Sequence, residues 1–437
     1  MNNEFPSDGM VRRRSSVRPL IMLMWSIPLM WVLGGERLLF PLLVLAFTFR
    51  AIPRDGKFTR PILWFGAFLI AYLASITQVA EPDRYITFLW DFSIYLSMLL
   101  TIMYIVRGAF NLDEIESILQ NLVLITILFH VIAMTYFVLG DWRFETLLGK
   151  ALPGGLKNTQ IGQKIAIHGV GRELYFLGVN TRLASIFTSS MQYAAVTLLV
   201  TPMALYFFLV KRGWMRLAFA VALILCLLGL FFSQGRTAMV ISAVALPVVF
   251  VCFVLSKVGM LSNKSIASTG LAVILLGAPI AMAVLPFAYE AFDFYFVQQR
   301  AASYEERSEV YRQSWDQIGD SPLLGHGTQV TVEDLNVPLG SHNWYLGVLF
   351  KHGMLGLVPL LAFLLYVVNA SLRSIFFVKS QREKLFAIAI FLTIASHLLL
   401  CLTAEPVVDA IHVFFLSVIY GCALAFRAAG VRQHELE

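Results

Sequence analysis

Apolar residues run in stretches of about twenty along most of the chain, separated by short charged clusters. This pattern predicts membrane-crossing helices near 19–35, 37–52, 61–79, 85–106, 120–140, 189–210, 217–234, 237–256, 269–287, 353–372, 385–403 and 409–427. A helix rises about 1.5 Å per residue, so such a stretch covers the roughly 30 Å of hydrocarbon in a bilayer. The first two runs are short for that distance. The expected fold class is therefore all-α, a polytopic integral membrane protein of about twelve helices.

Charge gives that bundle a direction. Every second connection carries the Lys/Arg excess: the tail with Arg12, Arg13, Arg14 and Arg18, the 50–60 loop, Arg107, the 211–216 loop, Lys257 with Lys264, the 373–384 loop, and the end with Arg427 and Arg432. Positive residues stay on the cytoplasmic side, so the phase predicts both termini inside. The stretch NLDEIESILQ at 111–120 reads as an amphipathic segment on the cytoplasmic surface ahead of the fifth span.

The two longest connections, 141–188 and 288–352, then face outward and form the expected working surface. The first carries six basic against three acidic residues, a net of +3 on the side where positive charge is normally sparse, which suits an anionic ligand. In the second, Tyr304, Arg307, Tyr311, Trp315 and Ile318 recur at spacings of three and four, predicting an amphipathic helix over 303–319 that lies against the membrane face. Three regions follow: helices 1–5 over 1–140, a central region with both external loops over 141–372, and two last helices with a tail over 373–437.

Composition agrees. Hydrophobic residues make up 58% of the 437 positions, charged residues 14%, and the mean hydropathy is +0.75, whereas a soluble domain is roughly a quarter charged. The net charge of +6 is spread over helix ends as a topology signal and forms no nucleic-acid patch. Cys226, Cys252, Cys401 and Cys422 all fall inside or at the edge of apolar runs and read as packing residues, with no disulfide framework. No cleavage site follows the first apolar run, which acts as its own insertion signal.

Three basic side chains stand where apolar runs meet the outer loops: Arg182, Arg236 and His342. Arg236, in SQGRTAM, has almost no loop to carry it into water, and a charge so close to hydrocarbon is a functional candidate by default. The competing role is an interfacial anchor snorkelling to headgroups. Arg182 closes the cationic loop at the same depth, and two guanidinium groups at one depth can clamp phosphate bidentately. His342 follows the flexible stretch NVPLGS and is suited to take a proton from a hydroxyl near neutral pH, although a lone histidine is more often structural. His130 and His397 lie mid-span and are expected to bond across helices. Asp91, also in an apolar run, is a candidate proton carrier. No HExxH, CxxC or GxxxxGK[ST] pattern occurs, so neither a metal nor ATP is expected.

Four local patterns in this order, RLASIF, SQGRTAM, ERSEVYRQSWDQIGDSPLLGHG and SHNWYLGVLFKHGMLGL, resemble the O-antigen ligases and polysaccharide polymerases of bacterial envelopes. The resemblance spans about Arg182 to Leu357, and TSSMQYA departs from the small Asn- or Pro-containing turn common in relatives. It implies metal-independent, cofactor-free, inverting transfer of a glycan from undecaprenyl pyrophosphate to an acceptor hydroxyl, at the periplasmic face of the bacterial inner membrane. The acceptor is lipid A-core in a ligase and a second lipid-linked glycan in a polymerase. It also implies that Arg182 and Arg236 neutralise the leaving group and that His342 is the general base. Arg307, Arg300 and Arg312 then contact phosphate or sugar, and Asn343 orients His342 or a sugar hydroxyl. A secondary transporter or lipid-linked oligosaccharide flippase fits the same span count. Such folds usually carry internal repeats and helices broken at mid-membrane, and no repeat is evident here.

Overall fold

The computed structural model describes residues 16–36, 39–52, 58–82, 84–157, 160–170, 182–262, 264–265, 268, 301–332, 338–407 and 409–436. The chain folds into long helices: α1 (Arg18–Leu33), α2 (Leu39–Ala51), α3 (Arg60–Ala74), α4 (Arg84–Arg107), α5 (Leu112–Met134), α6 (Ser190–Val210), α7 (Gly213–Ser233), α8 (Arg236–Lys257), α9 (Ala301–Ile318), α10 (Trp344–Phe377), α11 (Gln381–Leu400) and α12 (Ala410–Leu436). Among the described residues nine helices are long and apolar enough to cross a membrane, with α1 and α2 as shorter apolar helices. The protein is an all-α polytopic membrane protein. The expected span at 269–287 lies outside the described residues.

Burial separates inner from outer helices. In α12, 94% of the apolar span is buried and in α6 83%, against 28% in α7 and in α8. The last two turn Trp214, Leu217, Phe231 and Val240 outward, which is stable only when hydrocarbon replaces water on that face. Helix α6 packs against α7, α8 and α11, and α12 against α4 and α10. The helix ends therefore sort onto two faces. One holds the starts of α4, α6, α8 and α10, and the other holds Arg107, Lys211 and Arg382. They are called here the His342 face and the Glu116 face.

One expectation is corrected. The 111–120 stretch is no separate surface helix but the first three turns of α5. Asn111 caps it, accepting from the Glu114 N–H at 2.8 Å while the Glu114 carboxylate accepts from the Asn111 N–H at 2.8 Å. Ile115, Ile118 and Leu119 are buried with the rest of α5, and Glu116, on the same buried side, carries partners of its own. Its carboxylate accepts from Tyr206 Oη at 2.8 Å and Arg382 Nη2 at 2.6 Å, with Lys211 Nζ at 3.4 Å. A polar helix start reads as interfacial from sequence alone, because those partners come from α6, the α6–α7 junction and α11.

The first long connection is partly built. Strands Trp142–Glu145 and Ile167–Val170 pair antiparallel, with Trp142 opposite Val170. His168 ties this ribbon to the end of α1, its Nδ1 2.7 Å from the Trp31 carbonyl and its Nε2 3.2 Å from the buried Glu36 carboxylate. Lys157 pairs with Glu145, so one of the loop's cations is already answered within the loop.

Candidate functional site

The turn between α7 and α8 is as short as a helix reversal allows. Gln234 adopts the left-handed conformation at φ 52°, and Gly235 follows. A Cβ on Gly235 would lie 2.5 Å from the Ala194 Cβ of α6, so only glycine lets the start of α8 seat against that inner helix. Arg236 is then the first residue of α8. Gly235 offers no side-chain cap, which leaves the first-turn N–H groups of α8 with no capping side chain at the surrounding space.

That space is a cavity of about 230 Å³ on the His342 face, and its wall includes Arg182, Arg236 and Arg307 together with Ser190 at the start of α6. Three cationic side chains from three chain regions and two helix N-termini, each worth roughly half a positive charge, converge on it. No carboxylate belongs to the described lining. The charges of Arg182 and Arg307 both act on Arg236. Arg182 is buried, and its segment is fixed by Leu183 N–H donating to the Phe232 carbonyl at 3.1 Å and Ser185 Oγ donating to the Phe129 carbonyl at 2.5 Å. Arg307 Nε is buried without a hydrogen-bond partner among the described residues. Like charges gathered in a low-dielectric pocket raise one another's energy, and an anion with several oxygens removes that cost.

The amphipathic helix expected over 303–319 is α9, Ala301–Ile318, and it holds the His342 turn in place. Tyr311 Oη donates to the His342 carbonyl at 3.1 Å, and Ser314 Oγ accepts from the Gly340 N–H at 2.9 Å. His342 itself sits at φ 64°, a left-handed conformation costing a non-glycine residue roughly 1–2 kcal/mol. Burial, and then the nearby Arg307 charge, push its imidazole down to about 4, so it is neutral at pH 7. It is not part of the arginine cavity's lining. Arg307 links the two, lining the cavity while its charge acts on His342.

The remaining sequence candidates sit differently. Asn343 is the N-cap of α10, its Oδ1 accepting from the Leu346 N–H at 3.0 Å and its Nδ2 donating to the Leu402 carbonyl at 3.0 Å. Both ends of the amide thus hold backbone. Arg312 is exposed on α9, pairs with Glu309 and Asp316, and is absent from the cavity wall. Hydrogen bonds from Arg312 and then Gln313 hold the Glu309 carboxyl down at about 2. An i,i+3 and i,i+4 arrangement makes Arg312 a staple along its own helix. Arg300 lies outside the described residues.

The motif SHNWYLGVLFKHGMLGL forms a broken helix. Trp344 begins α10, and Gly353 interrupts it at φ 60°, ψ −166°. A Cβ there would lie 2.2 Å from the carbonyl carbon of Leu323. The PLLGHG loop fills the break, with Gly327 N–H donating to the Lys351 carbonyl at 2.8 Å and Met354 N–H to the Pro322 carbonyl at 2.9 Å. Backbone groups freed inside a membrane must find partners, and this loop supplies them.

Sequence reading missed a buried ion pair one layer further in, Lys351 Nζ to Glu405 Oε1 at 2.6 Å. The signal was available: Lys351 interrupts an apolar run and Glu405 precedes the last span, the same features that pointed to Arg236. His130 and His397 bond across helices as expected, to Tyr193 Oη at 2.6 Å and His412 Nε2 at 3.2 Å. Among the described residues no three His, Cys, Asp or Glu side chains form a group able to hold a metal ion.

Residues 221–361 match the family model described as O-antigen ligase, a stretch that takes in Arg236, Arg307 and His342 but begins after Arg182. The match supports the O-antigen ligase and polymerase superfamily for this chain, whose members are glycosyltransferase-like enzymes acting on lipid-linked glycans. No curated protein matches the chain.

Proposed function

Taking the O-antigen ligase match over residues 221–361 as premise, we propose that the protein transfers a glycan from a polyprenyl pyrophosphate to a hydroxyl of lipid A-core, without a metal, at the periplasmic face of the bacterial inner membrane. The observation that carries this reading is a cavity with Arg182, Arg236 and Arg307 in its wall and no carboxylate in the described lining. When the bond between the anomeric carbon and the phosphate oxygen breaks, the leaving pyrophosphate gains negative charge. Preorganised cations in a dry site stabilise that charge by several kcal/mol, as in other transfers that develop an oxyanion.

His342 is the general base. The acceptor oxygen attacks the anomeric carbon, its proton passes to the imidazole, and the electron pair of the broken bond stays on the pyrophosphate, which inverts the anomeric configuration. A base with its pKa held near 4 is weak. Pyrophosphate beside Arg307 offsets the guanidinium charge and raises the basicity of His342, so binding of the donor prepares the base. The Lys/Arg-rich ends of the spans gather on the opposite face, which supports a periplasmic orientation for the His342 face.

The test is transfer by purified protein in lipid nanodiscs, supplied with undecaprenyl-pyrophosphate-linked glycan and lipid A-core. Glycosylated lipid A-core formed without an ion gradient is the expected product. Movement of the lipid-linked glycan with no covalent product would overturn the reading in favour of a flippase. Elongated carrier-linked glycan as the only product would replace the ligase assignment with a polymerase.

A further inference from the structure

A second cavity, of about 200 Å³, opens on the His342 face with different chemistry. Its cations are already answered. Lys351 is held by Glu405, whose other oxygen accepts from Gln329 Nε2 at 2.8 Å, and Arg84 donates to the Gln329 carbonyl while pairing with Glu81. The group left over is Asp91, whose carboxylate lines the cavity and makes no hydrogen bond or ion pair among the described residues. Lys351 and Glu405 are the charges acting on it, one of each sign.

These features select the ligand. A phosphate would face two carboxylates and cations that already have partners, so the pocket is no second pyrophosphate site. A neutral polyhydroxylated ligand fits better. Asp91 offers up to four acceptor positions for hydroxyl groups, Thr87 lies one helical turn before it on α4, and Gln329 adds an amide. Tyr72 and Phe88, with ring centroids 5.0 Å apart, supply aromatic wall for the C–H face of a sugar ring.

Position connects this pocket to the transfer site. The turn after α11 divides the two cavities: Leu400, Thr403 and Ala404 line the arginine cavity, and the next residue, Glu405, reaches Lys351 and Gln329 in the other. The same turn receives the start of α10, since the Trp344 N–H lies 3.0 Å from the Cys401 carbonyl and 3.1 Å from that of Ala404.

We propose that the Asp91 pocket is a subsite for one neutral sugar residue of the glycan substrates. The proposal rests on the glycan-transfer reading above. The sugar comes either from the donor glycan or from the acceptor, and kinetics separate the two. Transfer by the nanodisc protein is followed with donor and acceptor varied in turn, for wild type, Asp91→Asn and the cavity-filling Thr87→Phe, with abundance and thermal unfolding recorded for each. Asp91→Asn is expected to raise one KM by at least about tenfold, the loss of a hydrogen bond to a charged group, with kcat within about twofold. Thr87→Phe is expected to raise the same KM. A rise in donor KM assigns the pocket to the donor glycan, and a rise in acceptor KM to the acceptor.

Unchanged KM for both substrates in both stable variants, with wild type active, overturns the proposal. So does a fall in kcat alone, which would move Asp91 into the chemistry. If wild type forms no product, the transfer reading fails and the pocket is judged separately by saturation-transfer NMR with methyl glycosides of glucose, galactose, mannose and N-acetylglucosamine. Ring-proton signals that vanish in Asp91→Asn uphold the subsite, and no sugar signal in wild type overturns it.

Discussion

At the Glu116 face, one buried carboxylate gathers Arg382, Lys211 and the Tyr206 hydroxyl from distant parts of the chain. At the His342 face, Arg182, Arg236 and Arg307 meet around a cavity whose described lining contains no carboxylate. Both clusters place charge inside a membrane protein, where isolation is costly. In the first the protein supplies the counter-charge and closes helices together. In the second the cations border an open space, where the proposed pyrophosphate would add its negative charge. Burial of charge alone therefore does not mark a functional site in this molecule, and the proposed site differs in gathering like charges around an open space.

The largest expected effect comes from breaking the arginine side. Arg236→Ala should lower transfer by about 10²–10³-fold, the usual cost of removing a group that stabilises developing negative charge. Arg382→Ala should leave transfer per inserted molecule within about twofold. Steady-state assays normalised to membrane-inserted protein separate the two outcomes. Next come substitutions at His342. His342→Ala and His342→Gly should each lose about 10²-fold in kcat, the low end for a general base, because a base held near 4 is weak. Only the glycine variant should unfold at a higher temperature, because it relieves the left-handed backbone at φ 64°. Equal melting temperatures for both variants would argue against strain held at that position.

The Glu116 side sharpens the comparison through stability. Glu116→Ala removes a buried carboxylate whose two cations are themselves 24% and 49% exposed, so water takes up part of their charge and a loss of about 1–3 kcal/mol is expected. Thermal unfolding in detergent would register it, with transfer by the surviving folded fraction unchanged.

The smallest effect is on pH dependence. In the proposed mechanism His342 acts as a neutral imidazole, and its free-protein value near 4 puts the acid limb of kcat/KM close to pH 4, with the rate falling as pH drops through it. Burial and the Arg307 charge both hold that value down, so Arg307→Gln should move the limb upward toward 6.5. For the same reason the limb in kcat, which reports the donor-bound protein, should lie above that in kcat/KM. A limb that stays in place in Arg307→Gln would detach His342 from the arginine cavity.

Much of this contrast was legible in the chain. The apolar runs gave the long helices, because only such runs satisfy their backbone in lipid. Arg236 stood out because SQGRTAM leaves it no loop, Arg182 because it closes the cationic loop at the same depth, and Arg307 only through the resemblance to O-antigen ligases. Glu116 was misread because a capped polar helix start has the same composition whether it lies on a membrane or inside a bundle. Its partners are 90, 95 and 266 residues away. Lys351 and Glu405 each showed as a charge at an apolar run, but their pairing, across 54 residues, did not. Asn343 and Arg312 carried polar side chains at promising positions, yet a cap and a helix staple are the contacts they make.

Binding shows more directly than turnover what fills the arginine cavity. Affinity of the nanodisc protein for undecaprenyl pyrophosphate, with no glycan attached, isolates the anion from sugar recognition and chemistry. Saturable binding is expected, weakening at high salt and falling at least about tenfold in Arg236→Ala, while Arg382→Ala binds as wild type. Binding of equal strength in wild type and Arg236→Ala would contradict this expectation.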